Sequence, residues 1–66
     1  MSVNGKNLDL SNLNEKSIKG LLTFYKIDPG AVAIEKNGDM VAKELWEIPN
    51  LADSDKIEII KFVGGG

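Results

Sequence analysis

Residues 56–63 read KIEIIKFV, a β-branched and aromatic run of strand length near the end of a small chain. Side chains alternate along a strand, so Ile57 and Ile59 share one face while Glu58, Ile60 and Phe62 share the other. An unpaired carboxylate is costly to bury. The Glu58 face is therefore assigned to solvent, and the Ile57 face to a core. Ile60 and Phe62 are then exposed just ahead of three closing glycines, Gly64, Gly65 and Gly66. Scattered surface apolars need no explanation, yet an apolar patch leading into a terminus also has the form of a docking surface. Both readings stay open on these residues alone.

Upstream of that strand, residues 44–55 (ELWEIPNLADSD) are expected to be irregular or a short helical turn, with Trp46 and Leu51 tucked onto the core edge. Residues 31–43 (AVAIEKNGDMVAK) form the pattern of a hairpin. Val32 and Ile34 alternate with Ala33 and Glu35, Asn37-Gly38 supplies the turn, and Met40 and Val41 begin the return strand. Ile18, Leu21, Leu22 and Tyr25 carry the i, i+3, i+4, i+7 spacing of an amphipathic helix. Ser17 or Asn14 is placed to cap its start. The KIDPG segment (26–30) ends it, because Pro29 disfavours helical geometry at Asp28 and Gly30 permits a turn. At the front, residues 1–5 read as a short strand, Asn4-Gly5 as a second hairpin turn, and residues 6–10 as the return strand with Leu8 and Leu10 on one face. The order is strand, strand, helix, strand, strand, strand. With the helix covering one sheet face, this is an α+β roll.

The bulk composition narrows the functions available. The chain has 66 residues, near the lower limit for one unstapled core. It contains no cysteine and no histidine, so disulfides, thiolate or imidazole metal sites and the usual general base are all missing. Apolar residues form 42% and charged residues 27% of the sequence, a globular balance. The net charge is −2 and the pI about 4.9, against the basic stripe of a nucleic-acid binder. The apolar runs are too short to span a bilayer, and no basic, apolar leader opens the chain. The expectation is a soluble cytoplasmic domain over residues 1–63, with a flexible glycine tail over residues 64–66.

No catalytic constellation stands out. The serines have no histidine to activate them, and the glycines do not form a phosphate loop. Asp53 and Asp55 read as a solvated turn, and Asp9, Glu15, Asp28, Glu44 and Glu47 as surface charge. One reactive group remains, the carboxylate of Gly66. Three residues without β-carbons reach roughly 10 Å and fit a channel too narrow for other side chains. A terminal carboxylate with a reference pKa of about 3.3–3.7 is ionised at neutral pH, and can attack the α-phosphate of ATP held in another protein. An idle, frayed end remains the alternative reading.

Several stretches taken in order resemble the thiamine-biosynthesis sulfur carriers, the ThiS family of small ubiquitin-like proteins. They are NGK (4–6), IKGLLTFYKI (18–27), AVAIEKNG (31–38), ELW (44–46), LADSDKIEII (51–60) and FVGGG (62–66). The resemblance implies a ubiquitin-like β-grasp: a mixed sheet of about five strands, first and last paired in parallel at its centre, with one main helix on one face. It implies a carrier rather than an enzyme. A ThiF-like activating enzyme, using Mg-ATP, adenylates Gly66, and a cysteine desulfurase system supplies the sulfur that turns the adenylate into a thiocarboxylate. Thiazole synthase then takes that sulfur for the thiazole ring. Gly64 and Gly65 would thread into partners, and Ile60 and Phe62 would contact the activating enzyme. No cofactor would be bound by the chain itself, which would be a monomer when free, with no nucleic-acid or membrane partner.

The chain departs from the family pattern at three places. The first strand is short, Ala42-Lys43 replaces Pro-Arg, and Ser54 replaces a glycine. Lys43 keeps the charge but loses bidentate geometry, and Ser54 bears on the turn before the last strand. Sulfur carriers of the same fold for molybdopterin or tRNA thiolation, and protein modifiers joined through an activated glycine, remain alternatives.

Overall fold

A computed structural model of the chain describes residues 1–62. Its elements are β1 (Ser2–Val3), β2 (Lys6–Asn7), α1 (Ile18–Tyr25), β3 (Val32–Lys36), β4 (Asp39–Met40) and β5 (Lys56–Lys61). Three short 3₁₀ turns, Leu10–Asn12, Pro29–Ala31 and Lys43–Leu45, connect them. The five strands form one sheet in the order β2-β1-β5-β3-β4. β1 and β5 pair in parallel at its centre, while every other pairing is antiparallel. This is the α+β roll expected from the sequence, in the strand order of a β-grasp.

Both Asn-Gly turns form as the sequence predicts. Asn4 and Asn37 take φ of 50° and 53°, followed by Gly5 at 82° and Gly38 at 92°, the left-handed conformations that such turns demand. Helix α1 starts at Ser17, whose hydroxyl accepts from the Gly20 N–H at 3.0 Å. Ser17, not Asn14, is the cap. Ile18, Leu21 and Leu22 face the sheet and are buried, and with Ile34 and Ile57 they form the centre of the core. Full burial of a side chain of this size contributes about 1.5–3 kcal/mol.

Four local expectations are corrected. Residues 6–10 do not all form a strand: β2 stops at Asn7 because the Asp9 carboxylate accepts from the Ser11 N–H and starts a 3₁₀ turn at Leu10. Leu8 and Leu10 are nevertheless both buried. The helix ends in the KIDPG segment as expected, but the cause is Lys26 in the left-handed conformation, φ 58°. Its N–H bonds back to Leu22 and Thr23, so termination precedes the effect of Pro29. Tyr25 falls off the buried stripe and stands half-exposed, edge-on to Phe24. The return strand of the second hairpin covers Asp39 and Met40 rather than Met40 and Val41, although the Val41 N–H still reaches Ile34.

Residues 44–55 are irregular after the Lys43–Leu45 turn, with Trp46 and Leu51 buried at the core edge as expected. The Trp46 Nε1–H donates to the Val41 carbonyl at 3.0 Å, so the ring is buried without stranding its polar atom. The expected boundary at residue 63, and the expectations placed on Gly64, Gly65 and Gly66, lie outside the described residues.

Candidate functional site

β5 is the middle strand, and its C-terminal end leads to the terminal glycines. β3 accompanies it throughout, from Lys36 opposite Ile57 to Val32 opposite Lys61. One bond further, the Phe62 N–H donates to Ala31 at 3.0 Å. The strand's exit is thereby tied to the turn that follows the helix.

The two faces of β5 divide as alternation requires. Ile57 is fully buried and Ile59 packs partly against the core. On the opposite face, Ile60 is 42% and Phe62 60% exposed. Ile60 lies opposite Ala33, a small neighbour that leaves it prominent. Further back, Glu58 lies directly opposite Glu35. Two like charges in that position repel each other, so this part of the open face favours a basic counterpart. A recess of about 340 Å³ beside Phe62 is lined by Lys26, Ile27, Asp28, Ala31, Val32 and Lys61. The open face thus carries an apolar end and an acidic middle. Among the described residues, no helix is long and apolar enough to cross a membrane.

Three polar side chains that brace β5 escaped the sequence reading. Asn4 donates its backbone N–H to Ile57 at 2.9 Å, and its side-chain Oδ1 accepts from the Ile59 N–H at 2.7 Å. On the other side, Asn37 donates its backbone N–H to the Lys56 carbonyl at 2.8 Å and accepts from the Lys56 N–H at 2.9 Å. Asn37 Nδ2 also donates to Asp55 Oδ1 at 3.0 Å. Asp55 is not a solvated turn residue: it is 8% exposed. Its Oδ2 accepts from the Ala52 N–H at 2.9 Å and lies 3.6 Å from the Lys36 ammonium. Burial pushes the Asp55 carboxyl up. The Asn37 and Ala52 hydrogen bonds and the Lys36 charge outweigh that, holding it below its ordinary value. The available signal was an asparagine, rather than glycine, at the first position of both turns. Glycine would adopt the same backbone and reach nothing.

The family departures acquire a physical reading. Ser54 lies in the turn closed by Asp55 N–H to the Ala52 carbonyl at 3.0 Å, and it is not among the residues with positive φ. That turn has no need of glycine. Lys43 sets its ammonium 5.7 Å from the centroid of the Trp46 ring, a cation–π distance.

The sequence matches the ThiS family over residues 1–66. It is 35% identical to "Sulfur carrier protein ThiS" of Bacillus subtilis over 66 residues, covering all of this chain and 98% of that protein. It is also 33% identical over 64 residues to "Thiazole synthase" of Paramagnetospirillum magneticum, with 97% of this chain matching 19% of that protein. In structure it resembles the crystal structure of the thiamine biosynthesis protein ThiS from Geobacter metallireducens. The TM-score is 0.78 at 29% identity, over 98% of this chain and 96% of that one. A family match from first residue to last, a β-grasp that superimposes on a ThiS structure and the central placement of β5 agree: the chain belongs to the ThiS family.

Proposed function

We propose that this chain carries sulfur for thiazole formation in thiamine biosynthesis, as a thiocarboxylate on Gly66. The observation that carries the reading is the end-to-end match to the ThiS family, which includes the terminal glycines. The absence of cysteine fits it, because a carrier without a thiol must hold sulfur on its chain end.

The chemistry follows from a carboxylate that others activate. A Gly66 oxygen attacks the α-phosphorus of Mg-ATP held by a ThiF-like enzyme, and the bond to pyrophosphate breaks. The resulting acyl adenylate is open to a sulfur nucleophile, a persulfide from a cysteine desulfurase system, which displaces AMP. The bond formed is C–S, giving an acyl persulfide. A thiol then attacks its desulfurase-side sulfur, breaks the S–S bond by forming a disulfide with that sulfur, and releases the thiocarboxylate. The chain acts as the substrate of these cytoplasmic enzymes, binding no cofactor of its own. Gly64 and Gly65 thread the partner channels, while Ile60 and Phe62 dock on the activating enzyme, an apolar contact at the edge of an acidic face.

Thiazole synthase is the acceptor this reading favours. A protein of that name contains a segment similar to nearly all of this chain, and joining donor to acceptor in one polypeptide raises their effective concentration. Removing Gly65 and Gly66 and following ATP–pyrophosphate exchange with the ThiF-like enzyme tests the proposal. Exchange should vanish while the fold persists; exchange at the full-length rate would overturn it.

A further inference from the structure

Asn4 stands where β1 stops and the central strand continues. β1 accompanies β5 only at Lys56 and Ile57, whereas β5 runs on to Lys61. On that side the last backbone bond is the one from Asn4 N–H to Ile57 O, 2.9 Å. The Asn4 carboxamide then extends the ladder by one peptide. Its Oδ1 accepts from Ile59 N–H at 2.7 Å, and its Nδ2 donates to Ile59 O at 3.4 Å. A carboxamide offers the same donor and acceptor as a peptide group, so it substitutes for the strand residue that β1 lacks. The left-handed backbone at Asn4 turns the main chain away into β2 and leaves its side chain on β5.

We infer that Asn4 is a positioning residue for the transfer chemistry. It holds the outgoing half of β5, fixing how Ile60 and Phe62 meet the activating enzyme. The inference rests on the sulfur-carrier reading and deepens it. Ile59 immediately precedes Ile60 and lies three residues before Phe62, on the side of β5 that β3 does not hold. Without the clamp, the β1 side of this end loses its hydrogen bonds to Ile59. Among the described residues, β3, the Phe62–Ala31 bond and the core packing of Ile59 are left to restrain it, so the docking patch samples orientations that the enzyme must select among.

Asn4→Gly keeps the positive φ without strain and deletes only the carboxamide; Asn4→Asp keeps the acceptor for the Ile59 N–H. Two readouts apply: amide hydrogen exchange at Ile59, and KM and kcat for the carrier in ATP–pyrophosphate exchange with the ThiF-like enzyme. Asn4→Gly should speed exchange at Ile59 and raise KM by about three- to tenfold, the equilibrium worth of one or two hydrogen bonds, with kcat unchanged. Asn4→Asp should recover part of the KM loss. An unchanged KM in a folded Asn4→Gly protein overturns the inference, because a merely structural role lowers the melting temperature and leaves KM alone. If Asn4→Gly melts below the assay temperature, KM is measured at a lower temperature where the variant is folded, and an unchanged KM there is equally fatal. Failure of the wild-type chain to support exchange would instead overturn the carrier reading, while Ile59 amide exchange still reports on the clamp.

Discussion

Asn37 Nδ2 donates to Asp55 Oδ1 across 3.0 Å, tying the second hairpin turn to the residue that launches the last strand. Asp55 Oδ2 meanwhile holds the Ala52 N–H and faces Lys36. Both Asp55 carboxylate oxygens are thus engaged in fixing the entry of β5.

This network gives the fold an acid sensitivity with a defined sign. The Asp55 carboxyl lies below its ordinary value of 3.8 when folded. Its stabilisation is therefore complete above the unfolded-state value and is lost as the pH falls through the folded one. Asp55→Asn should cost about 1–3 kcal/mol at pH 7, because one donor is left without an acceptor. Urea unfolding checks it: the gap between wild type and variant should narrow as the pH drops below the ordinary aspartate value. A gap that stays constant down to pH 3 would contradict the assignment.

Gly20 sits inside α1, where alanine ordinarily gains about 1 kcal/mol over glycine. Here a β-carbon would overlap the backbone carbonyl of Glu15, and backbone yields poorly. Gly20→Ala should therefore destabilise the domain by about 1–3 kcal/mol, the usual cost of overpacking. Thermal or urea denaturation decides the sign.

The two faces of β5 should respond to substitution in opposite ways. Ile57→Ala, at a fully buried position, should cost about 2–5 kcal/mol, comparable with the about 3–5 kcal/mol that so small a core supplies. Phe62→Asp, at 60% exposure, should change stability by no more than about 0.5 kcal/mol. The same change should raise the KM of the activating enzyme for the carrier about tenfold or more, as loss of an interface anchor does. Denaturation and ATP–pyrophosphate exchange on both variants test the division.

Much of this architecture was legible because local and long-range signals agreed. Two Asn-Gly pairs located both hairpins, the 18-21-22 spacing located the helix, and alternation in residues 57–62 separated the core face from the open face. Polar side chains and a left-handed backbone cap that override a local pattern were not legible. Asp9 ends β2 early by capping a 3₁₀ turn, Lys26 ends the helix before Pro29, and Asp55 is buried although its neighbour Asp53 is exposed. Each of these depends on which backbone N–H lies within reach, a fact set by the tertiary path. For the candidate site, alternation placed Ile60 and Phe62 on the open face of β5, whereas the one sign of the two braces, an asparagine at the head of each turn, does not say which strand its carboxamide reaches.

On the proposed function, Gly66 comes to carry sulfur in place of one carboxylate oxygen. Intact-mass spectrometry after incubation with the ThiF-like enzyme, Mg-ATP and a persulfide source tests it most directly. The expected result is a mass gain equal to one sulfur replacing one oxygen, localised to Gly66 by fragmentation. An unchanged mass while the same mixture releases pyrophosphate from ATP would contradict it.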